Sequence, residues 1–158
     1  MRIHVLSLMT LLGILLASCT STPSSSSPSQ PGIEISSAVV RLAGMAMPGM
    51  GVGEDSNLAG YLTIKNTGST DDSLIGVQVD FATAMLHQTT VDSSGVASMK
   101  EINAIPVPAG QTVELKPGSY HIMFMRPTRE LKAGESVELI LQFQNAGSIK
   151  VQANVTNQ

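Results

Sequence analysis

The chain is 158 residues long, with 3% aromatic side chains, no tryptophan and 13% charged residues. That is one domain's worth of polymer, and its core has to come from Val, Ile, Leu, Ala and Met. Nine basic residues against twelve acidic ones, with no basic cluster, exclude a nucleic-acid surface, and the low charge excludes wholesale disorder.

Arg2 and the apolar run from Val5 to Ala17 (VLSLMTLLGILLA) read as the charged start and hydrophobic middle of an export signal. The run is too short to span a bilayer comfortably. It closes in Leu16-Ala17-Ser18-Cys19, which resembles a bacterial lipobox. That pattern implies a signal peptide over residues 1–18, cleavage before Cys19, and lipidation of Cys19. The expected location is the bacterial cell envelope, on the periplasm-facing or outer surface of a membrane. Several acyl chains hold a protein there without a spanning helix. Cys19 is the sole cysteine, so no disulfide forms within the chain. The following TSTPSSSSPSQPG is Ser/Pro-rich and uncharged, which makes residues 19–32 a lipidated cysteine plus flexible tether.

Residues 33–158 read as one all-β domain. Predicted strands run over Ile33–Leu42, Ala59–Asn66, Ser73–Val79, Ala82–Thr90, Ala97–Ile105, Gln111–Leu115, Tyr120–Met125, Val137–Gln144 and Ile149–Val155. Between the first two lies Gly44-Met45-Ala46-Met47-Pro48-Gly49-Met50-Gly51, whose glycines and proline make it a loop. Turn pairs such as Ser94-Gly95, Ala109-Gly110, Pro117-Gly118, Ala133-Gly134 and Ala146-Gly147 punctuate the rest. In the last-but-one strand Val137, Leu139, Leu141 and Phe143 share a face. No segment carries a sustained helical period, so the fold class is a Greek-key β-sandwich.

Two histidines remain once His4 is removed with the signal. In His121-Ile122-Met123-Phe124-Met125 the strand period sets His121, Met123 and Met125 on one face and Ile122 and Phe124 on the other. The same period sets Met85 beside His87, and Met99 opens the strand after the Ser94-Gly95 turn. Thioether sulfur is a soft, neutral donor that favours Cu(I), whereas imidazole suits both copper oxidation states. Two His and two Met close a four-coordinate Cu(I) site; Met pairs make a poor zinc site. A blue-copper centre needs a thiolate, which the domain lacks. Taken singly, each Met reads as core filler and each His as a satisfied polar residue; their joint placement favours a metal.

The intervals also resemble a known family, the periplasmic copper chaperones called PCu(A)C, with a cupredoxin-like sandwich. Their pattern is a His, an often-present Met, ten residues, a Met, twenty-one residues and then His-x-Met. Here His87 is followed by Gln88, Met99 comes after ten more residues, and twenty-one separate it from His121-Ile122-Met123. Gln88 stands where the family often has Met, a position the pattern treats as optional. The segments Pro108–Gly118 and Leu131–Phe143 look like the family as well. The resemblance implies Cu(I) held by His87, Met99, His121 and Met123. It further implies delivery to an apo-acceptor protein, the Cu(A) subunit of cytochrome c oxidase or another copper chaperone. Met45, Met47, Met50, Met85 and Met125 are secondary candidates, and Cu(II) is a second oxidation state that the imidazoles accept.

Two other classes stay open: a metal-free structural or adhesive lipoprotein, and a copper storage or detoxification protein without a specific recipient. Hydrolysis is disfavoured. Asp80 and Asp92 lie near His87, yet no nucleophile motif or phosphate-cradling glycine motif appears.

Overall fold

The computed structural model describes residues 32–42 and 58–157, and every regular element among these is a strand. In chain order they are β1 (Ile33–Leu42), β2 (Leu58–Asn66), β3 (Asp72–Gln78), β4 (Thr83–Val91), β5 (Ala97–Glu101), β6 (Ile105–Val107), β7 (Thr112–Leu115), β8 (Tyr120–Met125), β9 (Ser136–Phe143) and β10 (Gly147–Thr156). The signal segment, the tether with Cys19, and the loop carrying Met45, Met47 and Met50 lie outside the described residues.

The strands form one path, β5-β4-β8-β2-β1-β10-β9-β3-β6, with β7 added beside β8 along β2. All neighbours are antiparallel except β1 and β10, which run parallel through Val39–Asn154 and the next two pairs. Both halves of this path feed one apolar core. From one side come Val40, Leu62, Ile64, Ile122 and Phe124; from the other come Leu74, Ile105, Leu139 and Leu141, all at most 2% exposed. The fold is therefore an all-β sandwich. Each such side chain stabilises the fold by about 1.5–3 kcal/mol when fully buried. The period-2 pattern expected in β9 is observed: Val137, Leu139, Leu141 and Phe143 are buried and face the core.

One predicted strand divides. Ala97–Ile105 is not continuous, because β5 ends at Glu101 and β6 begins at Ile105. β5 pairs with β4 and β6 pairs with β3 at the opposite end of the path. The intervening residues carry the chain between the two edges. Pro106 lacks an N–H, and it sits in an edge strand where that donor is dispensable.

Two contacts with β2 fix the position of β8. First, Phe124 lies across β2 at Gly60: a Cβ at that glycine would stand 2.8 Å from Cε2 of Phe124. Second, β7 and β8 both run antiparallel to β2, β7 along Leu62–Lys65 and β8 along Leu58–Gly60. They are one strand line interrupted by a tight excursion over residues 116–119. The Ser119 N–H donates to the Lys116 carbonyl (3.1 Å) and the Lys116 N–H to the Tyr120 carbonyl (2.8 Å). Gly118, at φ 77°, supplies the left-handed backbone that such a turn requires.

Candidate metal centre

Strand register brings the predicted ligands together. On the β4–β8 ladder His87 is opposite His121 and Met85 is opposite Met123. On the β4–β5 ladder Met99 is opposite Thr89, and Glu101 is opposite His87. Directly opposed residues share a face, and so do residues two apart on one strand. His87, Met99, His121 and Met123 therefore all project from the side of β5-β4-β8 away from the core, as do Met85 and Met125. Leu86, Ile122 and Phe124 occupy the other side and are buried. The expected split of β8 into a His/Met face and an Ile/Phe face is what the ladder shows.

The two imidazoles meet edge to face, with ring centroids 5.8 Å apart and planes at 86°. His121 is only 4% exposed. Its Nδ1 lies 3.0 Å from the Ser119 carbonyl oxygen. A carbonyl can only accept, so the neutral ring carries its proton on Nδ1 and its lone pair on Nε2. That Nε2 is buried with no protein hydrogen-bond partner, and so is Nδ1 of His87. A buried polar atom left unpaired costs about 1–3 kcal/mol. Two such nitrogens on adjoining rings, beside sulfur, form a set that a soft cation satisfies. The Ser119 oxygen also accepts the Thr89 N–H at 3.0 Å, which ties the ring's orientation to the ladder itself.

His87 stands between His121 and Glu101 in one cross-strand row. Burial pushes its pKa below the ordinary 6.5, and the neighbouring His121 pushes the same way, against an upward pull from Glu101. The ring is thus held neutral near pH 7, the form a metal needs.

Ser119 and Glu101 are the groups that residue patterns alone did not single out. Glu101 is two positions after Met99 on β5, so alternation puts it on the His/Met face once the register is known. Ser119 contributes only a carbonyl, placed by the excursion, and no side-chain signal marks it. The acidic residues near His87 in sequence serve elsewhere. Asp92 accepts from the Ser94 N–H (2.9 Å), the Ser94 hydroxyl (2.6 Å) and the Val96 N–H (3.0 Å), closing the β4–β5 turn. Asp80 lines an open cleft with Glu138 on the β3–β9 half. Among the described residues no three His, Cys, Asp or Glu side chains are grouped to hold a metal.

Fold and face together define a β-sandwich protein presenting imidazole and thioether on one outer sheet surface. The chain belongs to the LpqE-like lipoprotein family, whose model matches residues 33–155. A protein of Leifsonia xyli subsp. xyli named as a lipoprotein, Lxx21020, is 31% identical over 121 residues, covering 76% of this chain and 67% of that one. Across the curated relatives it matches, the chain spans 59–67% of their length. Among solved structures, the apo PCuAC domain from PmoF1 superposes with a TM-score of 0.67 at 22% identity, covering 84% of this chain and all of that domain. The solution structure of Cu(I)-DR1885 from Deinococcus radiodurans gives 0.59 at 26% identity, covering 80% of this chain and 81% of that one. The fold expected from the resemblance is the fold observed.

Proposed function

We propose that this protein is an extracytoplasmic copper chaperone, anchored through lipid on Cys19, that holds Cu(I) on His87, Met99, His121 and Met123 and hands it to an apo-acceptor. The acceptor in this reading is the Cu(A) subunit of cytochrome c oxidase or another chaperone on the way to it. The observation that carries the reading is the pair of buried, unpartnered imidazole nitrogens on neighbouring strands, set on a face of thioethers. Likeness to a Cu(I)-bound solution structure and the ligand intervals support it.

Copper is cargo here, so the site's chemistry is capture and release. Imidazole Nε2 of His121 offers a lone pair already aimed by the Ser119 carbonyl. Thioethers bind without losing a proton, so only the imidazoles make capture sensitive to pH. Four neutral donors leave the ion's charge uncancelled, and the Glu101 carboxylate beside His87 offsets part of it. Met99 lies on the edge strand and is 55% exposed, so an incoming ligand reaches copper from that side. Release proceeds by donor exchange, without oxidation or bond cleavage.

The test is an anaerobic Cu(I) titration of the domain from Gly32 onward, with X-ray absorption to count sulfur and nitrogen neighbours. One copper per chain with mixed nitrogen and sulfur coordination is expected. Several ions per chain would favour storage, and none would favour a metal-free structural role.

A further inference from the structure

The four positions Met85, His87, His121 and Met123 form a two-by-two block on the metal face. Met85 is opposite Met123 and His87 is opposite His121, pairs whose Cβ atoms lie about 4.5–5.5 Å apart in such ladders. Within each strand the two members are two residues apart, roughly 7 Å. Met99 is placed differently. It opposes Thr89 and so reaches His87 along a diagonal of about 7–8 Å. It also stands 55% exposed on a strand where every residue is exposed, whereas Met85 is half-buried.

We propose that Met85 is a fifth copper donor, competing with Met99 for the last coordination position; this rests on the copper-chaperone reading of the same face. The inner thioether keeps the ion coordinated while the outer one is exchanged for a ligand of the acceptor. His87, His121 and Met123 are common to both arrangements. The exchange is a swap of one neutral sulfur for another, so no proton or electron moves.

Four proteins decide it: wild type, Met85→Leu, Met99→Leu and the double variant, each loaded with Cu(I). Leucine keeps volume and apolarity but removes the sulfur. The readouts are the sulfur count by X-ray absorption and the affinity by chelator competition. Met99→Leu should keep two sulfur neighbours and bind about 10-fold more weakly at most, while the double variant should drop to one sulfur and lose about 100-fold or more. If Met99→Leu alone falls to one sulfur and matches the double variant, Met85 is packing only and the proposal is overturned. Two sulfurs persisting in the double variant overturn it as well, by assigning the role to another methionine. The Met99→Leu count stands even if a Met85 variant folds poorly. Failure of the copper reading itself looks different: wild type then takes up no stoichiometric Cu(I), or His121→Ala binds as wild type does.

Discussion

Among the described residues, two regions with buried polar side chains are treated in opposite ways. At one end, Asn66 is 2% exposed, and its Nδ2 donates to the Thr70 and Val107 carbonyls (2.8 and 2.9 Å). Its Oδ1 accepts the Gly68 N–H at 2.9 Å. Nearby, the Asp72 carboxylate accepts backbone N–H groups of Ser73, Asn145 and Ala146 at 2.7–2.9 Å. Every donor and acceptor there is used, and the result is a stitched junction between β2, β3, β6 and the β9–β10 turn. On the His/Met face the two imidazoles each keep one buried nitrogen without a protein partner. The Asn66/Asp72 junction is saturated, while the His/Met face keeps two ring nitrogens available, as the proposed copper role requires.

Substitutions in the two places should therefore separate binding from stability. The largest effect is expected for His121→Ala, which should lower Cu(I) affinity by more than about 100-fold, the upper range for losing a group that merely supports a metal ligand. The apo-protein should still fold, as seen by far-ultraviolet circular dichroism. Wild-type copper retention against a chelator would break the comparison from one side. Asn66→Ala comes next, with an expected loss of about 3 kcal/mol in urea unfolding, because it strands the Val107 carbonyl and the Gly68 N–H. Its Cu(I) affinity should match wild type. A copper defect in that variant would mean the two regions are not independent.

The smallest effect concerns acid. Folding depresses the His87 pKa, so the unfolded chain takes up its proton first as pH falls. Between the unfolded and folded values the unfolded state binds more protons, and apo stability must decline through that window. Wild type should lose slightly more stability between pH 7.5 and pH 5.5 than His87→Gln does. Identical pH slopes in urea unfolding would remove His87 burial as the cause.

Much of the architecture was legible in the residues. β1 and β8 have the predicted bounds, and the buried alternation of β9 follows its sequence because one face meets the core. The division of Ala97–Ile105 was not legible: no glycine or proline interrupts these nine residues, while the break arises from pairing with different edges. Strand order was hidden for the same reason, since the parallel β1–β10 contact joins residues more than a hundred positions apart. For the His/Met face, the same-side placement of His121 and Met123 follows from the period of two. The meeting of His87 with His121 depends on register, which local sequence does not encode. Cys19 and the Met45, Met47 and Met50 loop lie outside the described residues and remain expectations from sequence.

The Ser119 carbonyl has a kinetic consequence. Because it accepts from both the Thr89 amide and the His121 ring, the imidazole's rotational freedom is lost when the sheet assembles, long before any ion arrives. Preorganisation of this kind removes an ordering penalty from each capture event. In the proposed copper-carrying role, the protein would start every cycle with one donor already oriented.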